Sequence, residues 1–459
     1  MTPPNFENSE TPGRFALASA RVVAPEGIGP AAVIVAGETI EAVVPRDAAI
    51  LDGLPVEDLG ERVIMPGLVD THVHINEPGR TDWEGYATAT RAAAAGGVTT
   101  VVDMPLNCIP VTTSVAALAA KRQACAGKLS VDTGYWGGVI GQDDAELAAL
   151  TKAGVLGAKA FLCPSGIDEF PSVDEAQLRR GMAVLAAAGL PLLAHAEIES
   201  PVEDDSMDPR TYASYLASRP ERWELDAIEL LIRLSRETGC AVHIVHLSAA
   251  SAIPVIAQAR AEGLGVSVET CPHYLSLAAE SIAAGATHFK CAPPIREQAN
   301  QDLLWRGLED GHIDMVVSDH SPCTPALKQL ERGDFGQAWG GIASLQLTLP
   351  LAWTAASARG VGLAQLYQWL SVAPAKLAGL EASKGRLAPG CDADLCVWDP
   401  DASLTVDGAT MYMRHDLTPY QGQTLLGAVE RTYLRGQLIC EAGVPLGPPR
   451  GRELLRGRP

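Results

Sequence analysis

Two histidines with the spacing of metal ligands lie at the end of an apolar run in VIMPGLVDTHVHINEPGR, residues 63–80. His72 and His74 are two residues apart, so on a β-strand their side chains project from the same face. Two imidazoles that converge in this way fit a metal ion, whereas a buried pair without an ion would repel when protonated. The pair is therefore predicted to bind a divalent metal ion.

Lys159 lies inside the apolar segment GVLGAKAFL. Lysine is almost never fully buried without a partner, because a buried ammonium loses its hydration. A neutral buried amine is a nucleophile, and its addition to carbon dioxide would give a carbamate, a carboxylate able to bridge two cations. A lysine that reaches the rim of the fold or pairs with a carboxylate is the alternative.

Three further candidates end hydrophobic segments: His195 in GLPLLAHAE, His246 in CAVHIVHLS and Asp319 in MVVSDH. Asp319 qualifies as a metal ligand and as the catalytic proton carrier, because a carboxylate in so apolar a run needs a cation or hydrogen-bond donors. The six side chains are too many for one tetrahedral zinc and suit two divalent ions of a hydrolase. Zinc is the first expectation, although manganese, cobalt and iron accept similar ligands.

The remaining histidines are assigned no metal role. His243 lies three residues before His246 and is expected on the opposite face of its strand, as a structural residue. The others are His273, His288, His312, His320 and His415.

The composition narrows the class of protein. The chain has 459 residues and a formal net charge of -20, a surface that repels nucleic acid and anionic membranes. No segment has the apolar length of a membrane span or of a secretory signal. The ten cysteines are scattered without a C-x-x-C pair, which favours reduced core residues. A small-molecule substrate and a cytoplasmic location are expected.

The elements that must position the six residues alternate regularly. Short β-type apolar runs and Ala-rich helical stretches repeat eight times between residues 63 and 321, which predicts an α/β fold with a closed (β/α)8 barrel. An open doubly wound sheet is the alternative, but no G-x-G-x-x-G follows the first strand. Residues 1–62 and 376–459 predict the two parts of one small β-sandwich domain, with the barrel over residues 63–375.

The six residues resemble the cyclic amidohydrolases, whose barrels carry an H-x-H pair, a carboxylated lysine, two histidines and an aspartate in this strand order. The resemblance covers nearly the whole chain and is strongest to the allantoinases. It implies two divalent ions, an N6-carboxylated Lys159, ring opening of allantoin to allantoate and a homotetramer. In such a reaction Asp319 would move a proton from water to the leaving ring nitrogen. The matching segments are HVHINEPGRTDWEGY, DMPLN, KAFLCPSGIDEFP, ETCPHYL, KCAPPIRE, SDHSPC, AWGGIASLQL and YMRHDLTPYQGQ.

Two relatives with other substrates and a scaffold without activity are the alternatives. Dihydroorotases have an arginine where this chain has Asn76 and a histidine where it has Cys323, and both bind the substrate carboxylate there. Neither Asn nor Cys supplies that positive charge, and Asn can bond an amide-like ureido group. Hydantoinases and dihydropyrimidinases usually place a tyrosine after the lysine strand, where this chain has FLCPSGIDEFP. An inactive scaffold would lack a ligand, and none is missing.

Four residues are candidates for contact with the substrate: Asn76, Asn107, Ser318 and Cys323. For Asn76 a turn residue at the strand end is the alternative, and for Cys323 a residue that only fills a loop. Segments 201–227 and 333–341 are possible lids, the first acidic and the second rich in glycine.

Overall fold

Eight parallel strands form a closed barrel in the computed structural model, which describes residues 13–202 and 208–457. The third strand is interrupted at Trp136, and an isolated parallel bridge from Val73 to His320, just past the eighth strand, joins the eighth strand to the first. The predicted (β/α)8 fold is thereby confirmed. The barrel strands are Leu68–Val73, Val98–Asp103, Asp132–Tyr135 with Gly137–Gly138, Ala158–Phe161, Leu192–His195, Val242–Ile244, Val266–Thr270 and Met315–Val316.

Helices return the chain between successive barrel strands, and their buried faces pack on the outside of the barrel. The helices are Tyr86–Ala95, Val115–Cys125, Asp144–Lys152, Glu175–Ala188, Tyr212–Ser218, Glu221–Thr238, Ile253–Ala261, Pro272–Ser276, Gln298–Glu309, Thr348–Ser357, Leu363–Tyr367 and Ala373–Leu377. Within the described ranges, no helix has the length and apolar character needed to cross a membrane.

The two ends of the chain build one nine-stranded mixed sheet. Strand Val63–Pro66 lies in this sheet, where it pairs with Arg14–Ala24 and with Leu395–Thr405. The apolar run that begins at Val63 therefore supplies two strands, one to the sheet and the next to the barrel. The remaining strands of the sheet are Gly27–Ala36, Thr39–Pro45, Val56–Asp58, Thr424–Leu434, Gln437–Glu441 and Val444–Pro445.

Gly67 is the residue at which the chain passes from the sheet into the barrel. A Cβ atom at this position would lie 2.2 Å from the Thr99 hydroxyl oxygen, closer than two such atoms can approach. The glycine lets the first barrel strand start directly beside the second, with Leu68 opposite Val98.

Buried charges and a tail strand join the base of the barrel to the chain ends. Lys384 donates to Asp132 on the third barrel strand (2.6 Å) and to Asp394 (2.7 Å). The tail strand Glu453–Leu454 pairs in parallel with Asp132–Tyr135. These contacts lie at the end of the barrel away from the six candidate ligands, so the opposite rim is left for the site.

Candidate metal centre and active site

The six candidate metal ligands meet at the carboxyl ends of five barrel strands. His72 and Lys159 lie within their strands, and His195 is the last residue of its own. The other three lie within a few residues of a strand end. All six are almost completely buried: His72, His74, Lys159, His195, His246 and Asp319.

Their donor atoms converge in two adjoining groups. The Nε2 atom of His72 lies 3.2 Å from the Lys159 Nζ and 3.3 Å from the Asp319 Oδ1, and the His74 Nε2 lies 3.7 Å from the same Oδ1. In the second group, the His195 Nδ1 lies 3.0 Å from the His246 Nε2. Nitrogen and oxygen atoms brought this close suit coordination to shared cations.

Two buried glutamates fix the orientation of the histidines. Glu269 accepts a hydrogen bond from the His72 Nδ1, and Glu197 accepts one from the His195 Nε2 at 2.6 Å. Each carboxylate holds the proton on one ring nitrogen and leaves the other free to bind a metal. The sequence offered a signal for Glu269, because a carboxylate inside the apolar run LGVSVETC needs a buried partner.

Glu269 also binds a third histidine. Its second oxygen, Oε2, lies 2.9 Å from the Nε2 of His243, whose Nδ1 lies 2.8 Å from the Ser267 hydroxyl. His243 is thus two contacts away from the metal ligands, and it supports the carboxylate that orients His72.

Burial favours the neutral form of the four histidines. Loss of hydration lowers the pKa of His72, His74 and His246 well below the usual value for histidine. Burial lowers the pKa of His195 as well, although its bond to Glu197 opposes the shift. Neutral imidazoles have the free lone pair that a metal ligand requires.

Burial shifts the pKa values of Lys159 and Asp319 in opposite directions. Loss of hydration lowers the pKa of the Lys159 amine and raises the pKa of the Asp319 carboxyl. No carboxylate of residues 13–202 and 208–457 lies within 4.0 Å of the Lys159 Nζ. Asp319 and Glu269 are near enough to oppose this lowering of the Lys159 pKa, but neither forms an ion pair with the amine within that distance.

The backbone at the strand ends aims two of the ligands. His246 and Asp319 have φ of 41° and 42°, a region that residues other than glycine rarely adopt. Asp70 ties the first strand to the eighth, because its carboxylate accepts hydrogen bonds from the backbone N–H of His72 and Ser318, both at 3.1 Å. Strained backbone held by buried hydrogen bonds is typical of functional sites.

A cavity of about 380 Å³ opens onto the ligands. Its metal-side wall includes five of the six candidate ligands, all except His72. The rest of the wall comes from loops after the barrel strands, and it contains two cations, Arg219 and Lys290. A pocket of this size with convergent polar groups suits a small-molecule substrate.

The structure separates the four substrate-contact candidates. Asn107 lines the cavity, with its Nδ2 3.4 Å from the His74 Nδ1. The other three candidates, all within the described part of the chain, are not part of the cavity wall. Asn76 donates to the Pro322 carbonyl, Ser318 lies between the first and eighth strands, and Cys323 lines a separate small pocket.

Both possible lid segments contribute to the cavity wall. From segment 333–341, residues 336–341 line it, and Trp339 packs edge-on against Trp83 with ring centres 5.0 Å apart. From segment 201–227, Tyr215 and Arg219 line it, while residues 203–207 lie outside the described residues. Arg219 also holds Glu197 through its Nε at 3.0 Å, so this segment is connected to the ligand His195.

Replacing Glu197 by glutamine should weaken metal binding. The amide keeps the shape of the side chain but loses the charge that orients His195, and such changes lower metal affinity about 10- to 100-fold. Metal affinity measured by competition with a chelator tests this, with the exposed Glu199→Gln as the control two residues away. Equal affinities of the two variants would show that Glu197 has no part in metal binding.

Buried candidate ligands at the carboxyl end of a (β/α)8 barrel are typical of metal-dependent hydrolases. The amidohydrolase family matches residues 63–439, and the chain belongs to this family. It is similar to the allantoinase of Streptomyces avermitilis, with 51% identity over 442 residues, 96% of this chain and 98% of that protein. The allantoinase of Arabidopsis thaliana is 45% identical over 93% of this chain and 88% of its own.

Solved structures support the same family. The L-hydantoinase (dihydropyrimidinase) from Arthrobacter aurescens superimposes with a TM-score of 0.90 at 29% identity, covering 96% of this chain and 100% of its own. The dihydropyrimidinase from Brevibacillus agri gives a TM-score of 0.86 at 28% identity, covering 97% of this chain and 100% of its own. The shared fold therefore extends over the barrel and the sheet formed by both chain ends.

Proposed function

We propose that the protein hydrolyses the ring amide of allantoin and releases allantoate. One observation supports this most strongly: six buried donors meet beside a substrate-sized cavity that five of them line, in a chain 51% identical to an allantoinase over 96% of its length. The activity is that of a hydrolase acting on a carbon–nitrogen bond of a cyclic amide. The partner is a small molecule, and the homotetramer and the cytoplasmic location stay predictions.

The proposed cofactors are two divalent ions, zinc first, held by His72, His74, His195, His246, Asp319 and Lys159. The histidines fit metal ligation because each can present one ring nitrogen to an ion. In His72 and His195 the other ring nitrogen is held by a buried glutamate. For Lys159 we propose N6-carboxylation, because its buried amine has no carboxylate partner in the described chain and a carbamate would supply the missing bridging oxygens. Two such ions would lower the pKa of water and polarise a carbonyl.

The protein's own residues then orient the substrate and move one proton. The oxygen of water adds to the ring carbonyl carbon, and the bond from this carbon to the ring nitrogen breaks. Asp319 accepts a proton from the water and delivers it to the departing nitrogen, which would otherwise leave as an anion. The new carboxylic acid ionises to give allantoate. Asn107, in the wall beside His74, is placed to bond polar groups of the substrate.

Dihydroorotate hydrolysis is the second candidate, because the cavity contains two cations. Asn76 and Cys323 lie outside the described cavity wall, so they do not by themselves exclude a substrate with a carboxylate. Arg219 and Lys290 line the wall. Arg219 already binds Glu197, however, which reduces the positive charge available to a substrate anion.

Ring opening of allantoin, dihydroorotate and hydantoin at equal concentration distinguishes these candidates. The protein is loaded with divalent metal and bicarbonate, and initial rates are compared. We expect kcat/KM for allantoin to exceed the others by about 100-fold or more, because a site built to bond a polar group rejects analogues that lack it. A higher rate with dihydroorotate would make the allantoin assignment wrong while leaving the metal centre intact.

A further inference from the structure

Lys290, in the segment KCAPPIRE, lines the same cavity as the candidate metal ligands. Its ammonium donates hydrogen bonds to the carbonyl oxygens of Ala338 at 2.7 Å and Gly336 at 3.3 Å. It also lies 5.0 Å from the centre of the Tyr215 ring. A lysine ammonium has three N–H donors, so the described contacts leave one donor for a ligand in the cavity.

The surroundings of Lys290 leave its charge without a direct counter-ion. Among the described residues no carboxylate lies within 4.0 Å of its Nζ, and the charged groups around it are Arg219, Lys328 and Asp334. Lys328 is itself buried and is held by the backbone carbonyls of Lys290 and Gly341. Burial, and then the two neighbouring cations, lower the pKa of Lys290 to about 8. A neutral oxygen acceptor would satisfy the remaining donor.

The substrate offers such an acceptor. Allantoin carries a ureido group on the ring carbon next to the cleaved carbonyl. When that carbonyl lies at the metal ligands, the ureido group extends towards the rest of the cavity wall. Arg219, the other cation there, is engaged by both oxygens of Glu197. Lys290, by contrast, has no carboxylate within 4.0 Å among the described residues, so its charge is the one in this wall that a neutral acceptor of the substrate can bond.

We propose that Lys290 donates a hydrogen bond to the ureido carbonyl oxygen and so selects cyclic amides that bear a ureido group. This inference rests on the proposed function. A charge-assisted hydrogen bond of this type is stronger than a neutral one, and a ring without the ureido group leaves the donor unpaired. The same ammonium bonds to the carbonyls of Gly336 and Ala338, so it would connect the bound ureido group to that loop.

The test compares Lys290→Met and Lys290→Arg with the wild type, and Gln329→Ala, which removes a hydrogen bond to the Gln337 carbonyl from outside the cavity wall, is the control for disturbance of the loop. For Lys290→Met we expect KM for allantoin to rise about 10- to 100-fold with kcat changed little. The inhibition constant of hydantoin, which has the ring without the ureido group, should change less than about threefold. Lys290→Arg keeps a donor and should recover most of the affinity.

A role limited to tethering the loop predicts a different pattern and would overturn the proposal. In that case KM for allantoin and the inhibition constant of hydantoin rise together, and Gln329→Ala shows part of the same effect. An unchanged KM in Lys290→Met overturns it equally. If hydantoin does not inhibit the wild type, two other results decide between the roles. A rise in KM without a change in kcat for Lys290→Met, and recovery of KM by Lys290→Arg, support the hydrogen bond to the substrate. If the wild type does not hydrolyse allantoin, the proposed function is refuted. This outcome is distinct from failure of the Lys290 proposal, in which the wild type is active.

Discussion

Lys159→Met is expected to lower allantoin hydrolysis by about 1,000-fold or more, a loss of about 4 kcal/mol of transition-state stabilisation. Methionine fills a similar volume in the apolar strand, so the fold should survive. It cannot add carbon dioxide, however, and the oxygens proposed to bridge the two ions are lost. Activity and metal content per chain are measured together, with the thermal midpoint as the check on folding.

The exposed Lys152, just before the same strand, supplies the control as Lys152→Met. It should keep wild-type activity and metal content. Incubation with carbon-13 bicarbonate should add a carbamate signal to the wild type and to this control, but not to Lys159→Met. Full metal content in Lys159→Met together with near wild-type activity would refute the bridging role.

Asp319→Asn is expected to lower kcat about 100- to 10,000-fold, the usual contribution of a positioned proton carrier. Asparagine keeps one oxygen as a possible ligand but cannot accept and return the proton. KM should change little, because the substrate contacts are unaffected. Steady-state rates at saturating divalent metal measure this, and Asp310→Asn at an exposed position serves as the control. A kcat within about tenfold of the wild type would remove Asp319 from the proton transfer.

The sequence predicted the barrel, and it predicted which six candidate ligands would lie together, because both leave local patterns. Each ligand follows a short apolar run, and parallel strands connected by helices must bring their carboxyl ends to one rim. The first strand shows where local patterns fail. Its run is continuous in the sequence, yet Val63–Pro66 joins the β domain and Leu68–Val73 the barrel. That division depends on a close packing contact at Gly67, which spacing alone does not reveal.

The substrate side of the cavity was the least predictable part. Asn76 and Asn107 both follow strand ends with nearly equal φ of 66° and 67°, yet only Asn107 of the two lines the described cavity. Which one faces the cavity depends on the packing of neighbouring loops. Arg219 lies in segment 201–227, which the sequence indicated as a possible lid, but no spacing in the sequence singles out Arg219 or Lys290 as a residue of the wall. The role of Glu197 was easier to predict, because a carboxylate two residues after the candidate ligand His195 can orient its imidazole ring.

Titration of metal-free protein with a divalent ion tests the central claim most directly. Bound ions per chain are counted while allantoin hydrolysis is followed. If the six buried residues form one centre for two ions, activity rises until two ions are bound per chain and then stays constant. Full activity with one ion per chain, or hydrolysis without any ion, would contradict the two-ion centre.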